Sequence, residues 1–236
     1  MFLPRAMGTD AAAAVEPQKL EAVDAKGLHV DLPSPPEELR ERIHSGKVRF
    51  EFYDSKVIKR PRPGETKFEY RYEYESRSKW KLITQDGQAA IQVSVRYQDI
   101  KLERTHRISL PEEMIRDDLF QKPLTLHEFD HVAISSDKRL PALLESMLID
   151  RNALIVKVLN EEEDEFTGKP SPKDLSRISK QFVKDASDEV FNDFVEVVSI
   201  RYRELDRISN FGLEPLSSEE RQRLIETTPD AIEQSR

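Results

Sequence analysis

Two histidines four residues apart, with a glutamate beside the first, stand in the stretch "LTLHEFDHVAIS" at 124–135. On a helix, positions i and i+4 lie one turn apart on the same face, so the imidazoles of His127 and His131 reach a common point. That arrangement suits a zinc ion, which takes nitrogen ligands and, in catalytic sites, keeps one position open for water. Glu128 is then placed to take a proton from water whose acidity the metal has raised, which is the chemistry of a zinc metallopeptidase. The plainer alternative is a pair of histidines on an ordinary helix face, satisfied by solvent or nearby acids.

A three-ligand site needs one more donor, and the sequence offers several acids. Asp137 follows His127 by ten residues, but Ile134 occupies the position where a metzincin site has the glycine that lets the chain turn back. On an unbroken helix, Asp137 points well around from His131. Glu145 lies beyond Pro141 on a following helical stretch, the kind of place from which thermolysin-like enzymes take a glutamate ligand. Asp206 falls near the end of a long C-terminal helix, in "YRELDRISNFG", and a carboxylate projecting from there toward the histidine pair would complete the set. Tyr202, one turn earlier, either donates to a tetrahedral oxyanion or packs against the sheet. The acids at 161–165 read as loop charges.

Periodicity gives the elements that must carry these residues. Phe68, Tyr70, Tyr72 and Tyr74 alternate with charged residues, as do Ile91, Val93, Val95 and Tyr97 with polar ones, which is the period of a strand. Asp86-Gly87 between them reads as a hairpin turn. With an earlier strand around Phe50 and Phe52, residues 48–110 predict an antiparallel β-meander, and "KRPRPGET" a proline-rich connection. From Pro111 the pattern becomes helical: "LPEEMIRDDLF", then 123–138, then a stretch after Pro141 running to about 160. A long helix over 173–209 carries an apolar stripe and stops at Gly212. The fold class is α+β: the meander packed with helices, the last of them long. Residues 1–45 read as a flexible tail with a short helix from Glu37 to His44, 46–212 as the folded domain, and 213–236 as a polar C-terminal tail.

Composition narrows the possibilities. Of 236 residues, 35% are charged and 37% hydrophobic, and the net charge is -8 with no block of basic residues, which argues against a nucleic-acid partner. The chain has no cysteine, which removes disulfides, cysteine-based zinc and iron–sulfur sites, and thiol nucleophiles; any metal is held by His, Asp or Glu. No apolar run reaches the length of a membrane span. The opening "MFLPRAMGTDAAAAVEPQ" is interrupted by Asp10 and lacks a continuous signal-peptide core.

Over roughly residues 48–212 the chain resembles an uncharacterised bacterial family of predicted secreted zinc-dependent proteases. The resemblance lies in strands that carry Trp80, the "SLPEEM" leucine-proline ahead of the helices, "HEFDHVAIS", and Leu205-Asp206 followed by Asn210-Phe211 on the last helix. It implies a zincin-like domain over 46–212, a Zn2+ cofactor, a peptide or protein substrate, and a secreted or periplasmic location. It also implies ligand roles for His127 and His131, a general-base role for Glu128, and Asp206 rather than Asp137 as third ligand. The chain departs from the family in having no histidine after His131. The rival reading is a non-catalytic binding or scaffold protein on the same shell, whose exposed "FEYRYEY" edge accepts a strand from a partner.

Overall fold

Two long strands organise the molecule, β3 (Glu65–Gln85) and β4 (Gln88–Pro111), joined at Asp86-Gly87. Both turn residues take positive φ, 49° and 82°, the handedness a two-residue hairpin needs. The computed structural model describes residues 20–214 and 216–226. The opening stretch assessed for a signal peptide, 1–18, lies outside the described residues, as do residues 227–236 of the polar C-terminal tail.

Alternation sets which face of the hairpin is buried, but one irregularity reverses its parity. Even-numbered residues of β3 line the inner face, with Thr66 buried and Phe68, Tyr70, Tyr72, Tyr74 and Trp80 partly so. On β4 the inward residues are Tyr97, Val95, Val93 and Ile91 near the turn, and Leu102, His106, Ile108 and Leu110 farther along. The change occurs where Glu73 pairs Lys101 but Glu75 pairs Gln98, so β4 holds one extra residue there. Asp99, at φ 50°, absorbs it as a bulge.

The sheet is mixed, not the antiparallel meander that alternation predicts. β2 (Val48–Tyr53) pairs with β4 in parallel, Phe50 opposite Ile108, and β1 (Ala22–Val23) pairs in parallel with β2. β4 therefore lies between β2 and β3, and the proline-rich connection at 54–64 crosses its end to reach the far side. Alternating side chains identify strands; they carry no information on which strands are neighbours.

Among the described residues of the segment read as a flexible N-terminal tail, Ala22, Leu39 and Ile43 are buried, the last two on α1 (Glu37–Gly46). The helix predicted over 110–120 is instead two single 3-10 turns, with Leu119 and Phe120 buried in the cluster around Phe50 and Phe129. α2 (Pro123–Ser135) ends three residues earlier than expected, and Pro141 sits in the first turn of α3 (Leu140–Asn152) rather than closing α2. The apolar run after α3 is not helical: Leu154–Val158 forms β5, antiparallel to β4. Its β-branched residues fit a sheet better than a helix.

α4 (Pro172–Ile208) is the long C-terminal helix. It starts at a reciprocal cap, where Ser171 Oγ accepts from the Asp174 amide at 3.2 Å and Asp174 Oδ2 accepts from the Ser171 amide at 3.0 Å. Its buried residues, including Ile178, Val190, Phe194 and Leu205, pack with α3 on the inner sheet face. Within the polar C-terminal segment, α5 (Ser218–Glu226) docks beside α2, where Arg221 Nε stands 2.7 Å from the buried Asp130 carboxylate. Among the described residues, no helix is long and apolar enough to cross a membrane.

Candidate metal centre

α2 is largely buried because it lies between the two apolar clusters, with Phe129 and Val132 in one and Ile134 in the other. Its histidines face the last turns of α4. There Asp206 Oδ1 lies 3.2 Å from His127 Nε2 and 3.0 Å from His131 Nε2. One ligand atom from each of these three residues falls within 4.8 Å of the others, so the group could hold a metal ion. Ligand atoms bound tetrahedrally to zinc at about 2.0–2.1 Å stand roughly 3.3 Å apart, so the observed separations suit an ion as well as a hydrogen bond.

Ser209 sets the tautomer of His127. Its hydroxyl lies 2.7 Å from the Leu205 carbonyl, to which it donates, so it accepts from His127 Nδ1 at 3.2 Å. Nδ1 therefore carries the proton, and the Nε2 lone pair of the neutral ring points at a carboxylate oxygen. Two electron-rich atoms face each other, an arrangement that a cation or an added proton between them relieves. A ligating histidine held through its other nitrogen is the usual support of a metal site. His131 has no such partner: its Nδ1 is buried with no hydrogen bond among the described residues, and its ring rests 4.3 Å from that of Tyr202.

Arg62, from the proline-rich connection, binds the other oxygen of Asp206, with Nη1 2.7 Å from Oδ2, and lies over the Phe211 ring at 3.9 Å. Oδ1 is thus left for the histidines. Burial alone would raise the Asp206 pKa, but a proton taken up at His127 or His131 Nε2 is donated to its carboxylate, and this pairing holds it well below the usual carboxylate range. Burial also lowers the His131 pKa, against its bond to Asp206. Both shifts favour the deprotonated donors that a metal requires.

Glu128 is 2% exposed and shares the same cleft. Burial pushes its carboxyl up to about 7, opposed by the Thr66 hydroxyl, which donates to Oε2 at 2.6 Å. The Thr66 hydroxyl also lies 3.2 Å from the Glu128 main-chain carbonyl. Gly64 packs closely against it: a Cβ there would stand 2.2 Å from Oε1, so the carboxylate would have to shift. The cleft, about 740 Å³, runs along Arg60–Lys67 and opens over the histidines, Tyr202 and Asp206.

Of the acids considered as third ligand, the structure brings only Asp206 to the pair. Asp137 is held by Arg139, with Nη2 2.6 Å from Oδ2, and Glu145 is exposed on α3; neither belongs to the group. Tyr202 lines the cleft with its ring but spends its hydroxyl elsewhere. His106 Nδ1 bonds the Gly46 carbonyl and so carries the proton, leaving Nε2 to accept from Ser135 Oγ at 2.6 Å. With its proton so used, Ser135 accepts from the Tyr202 hydroxyl at 2.7 Å. Burial pushes that hydroxyl well above the usual phenol range. Its role is to lock α2 against α4, and the oxyanion role does not fit its geometry.

This lock has a pH signature. Burial and, in smaller measure, Arg104 depress the His106 pKa from 6.5 to about 4, against the pull of the Gly46 carbonyl. The folded protein therefore refuses a proton that the unfolded chain accepts below 6.5. The stabilisation is complete above pH 6.5 and is lost as pH falls toward 4, amounting to about 3 kcal/mol. Urea unfolding at pH 7.5 and 4.5 should show a smaller loss of stability in His106→Gln than in the parent; equal losses would place the titration elsewhere.

Thr66, Ser209, Arg62 and Gly64 support the centre without belonging to any motif. The one legible signal was Gly212, noted as a helix stop; it takes φ 82° and brings its Cα against the His127 ring. Comparison of the chain with protein-family models, with curated proteins and with solved structures gives no match.

Proposed function

We propose that the chain is a zinc-dependent metallopeptidase with a zincin-like arrangement, in which His127, His131 and Asp206 hold the ion. The observation that carries this reading is that one oxygen of Asp206 faces both Nε2 atoms while Glu128 shares their cleft. Zinc held there would polarise a peptide carbonyl and lower the pKa of water. Glu128, oriented by Thr66, takes a proton from the attacking water as its oxygen adds to the carbonyl carbon. It then returns the proton to the amine nitrogen as the C–N bond breaks, so it ends each turnover as it began. Arg62 keeps Asp206 turned with one oxygen to the histidines. The family resemblance agrees with this role and adds a secreted or periplasmic setting.

The deep burial of the histidines favours a second reading. His127 and His131 are 7% and 4% exposed and face Asp206 across the α2–α4 junction, so an ion there would also brace the fold without catalysis. Zinc loading and assay of the same samples separate the possibilities. The purified protein should bind one zinc per chain, and His127→Ala should lose both the metal and peptide hydrolysis. A chain that takes up no metal under saturating zinc overturns both readings, whereas metal without hydrolysis leaves the brace.

A further inference from the structure

Among the described residues, β5 is a short strand with one side unpaired. It pairs only with β4 in the sheet of the described residues. The Val95 amide donates to the Ala153 carbonyl at 3.0 Å and the Leu159 amide to the Ala89 carbonyl at 2.9 Å. Odd-numbered residues therefore turn their backbone groups toward β4. By the alternation of a strand, Leu154, Val156 and Val158 turn theirs outward. The same three residues present their side chains on the outer face, opposite Ser94, Gln92 and Ala90, and are 57%, 39% and 39% exposed.

Proteins that leave an edge open usually guard it with a charge, a proline or a bulge. The one charge on β5, Lys157, points to the inner face, where its Nζ lies 3.2 Å from Asp164. Nothing on the strand opposes addition of another.

We infer that β5 is a homodimer interface, pairing antiparallel with β5 of a second copy to join the two sheets. The strand is its own complement under a two-fold axis through Val156. Val156 falls opposite its symmetry mate, and Leu154 opposite Val158 of the other copy, so aliphatic side chains meet at every outward position. The outward amides and carbonyls of all three residues find partners at once. The inner-face residues also match, Ile155 lying against the stem of Lys157. A strand from an unrelated protein would satisfy the backbone equally, but this register of aliphatic residues is symmetric about its centre.

The absence of cysteine gives a direct test. Directly opposed residues of a hydrogen-bonded antiparallel pair have Cα atoms about 5.5 Å apart, within disulfide range. Val156→Cys in the full chain should cross-link to a covalent dimer under mild oxidation, while Ser94→Cys, on the same face but one strand inward, should stay monomeric. In sedimentation the parent should be dimeric at micromolar concentration. Val156→Lys places like charges across the axis and should raise the dimer dissociation constant by roughly 100-fold. Circular dichroism reports the fold of each variant, and Val156→Pro, whose missing amide is an outward one, repeats the test without adding charge. A monomeric parent, a Val156→Lys protein as dimeric as the parent, or equal cross-linking of both cysteine variants would overturn the inference. None of these outcomes depends on the metal or on peptidase activity.

Discussion

Glu128→Gln should keep its zinc and lose peptide hydrolysis by roughly a thousandfold, within the range general acid–base catalysis supplies. The amide matches the carboxyl in shape, and its oxygen can still accept from the Thr66 hydroxyl, so the side chain keeps its place under Gly64. The ligands are untouched, because Glu128 is not among the three donors that converge. What disappears is the capacity to take up a proton at the start of the reaction and release it to the leaving amine. Metal content per chain and hydrolysis of a mixed peptide library, measured on the same preparations, decide the matter. Equal zinc in parent and variant with activity lost only in the variant is the expected pair. Activity within tenfold of the parent would remove Glu128 from the proton's path and leave the burial of its carboxyl to be explained by packing alone.

The histidine pair and its glutamate were legible because helical spacing alone brings them together. Asp206 was legible only as one acid among several, since its separation from His131 in sequence says nothing about the angle at which α4 meets α2. The supporting residues were not legible for a similar reason. Thr66 reaches Glu128 only because β3 lies beside α2, which follows from the chain crossing the end of β4 at 54–64. Strand order was the main thing the alternation pattern withheld, and the parallel pairing of β2 with β4 depends on it. The other departures from the sequence pattern are local. A proline marks the end of one helix or the first turn of the next with equal ease, and Pro141 opens α3. "LIVKV" is an apolar run too short to have a period of its own that would tell a strand from the end of a helix.

Gly212→Ala should weaken zinc binding by roughly 10- to 100-fold, the scale on which lost support of a ligating histidine is felt. A methyl group there would stand 2.8 Å from His127 Cγ and 2.9 Å from its Cβ, closer than carbon atoms approach. His127 cannot retreat freely, because Ser209 holds Nδ1 three residues before the same glycine. The imidazole would turn, and Nε2 would leave the position it shares with His131 opposite Asp206. Backbone strain also enters, since φ at Gly212 is 82°, a region that costs a residue with a Cβ about 1–2 kcal/mol. Gly87 provides the control: its φ is also 82°, and a Cβ there meets nothing within 4 Å. Gly87→Ala should therefore lower thermal stability while leaving zinc affinity unchanged. Competition against a chromophoric chelator measures the affinity of each protein, and thermal unfolding of the metal-free forms measures the strain. If Gly212→Ala binds zinc as tightly as Gly87→Ala does, the close contact with the ring has no part in holding the ligand, and the orientation of His127 rests on Ser209 alone.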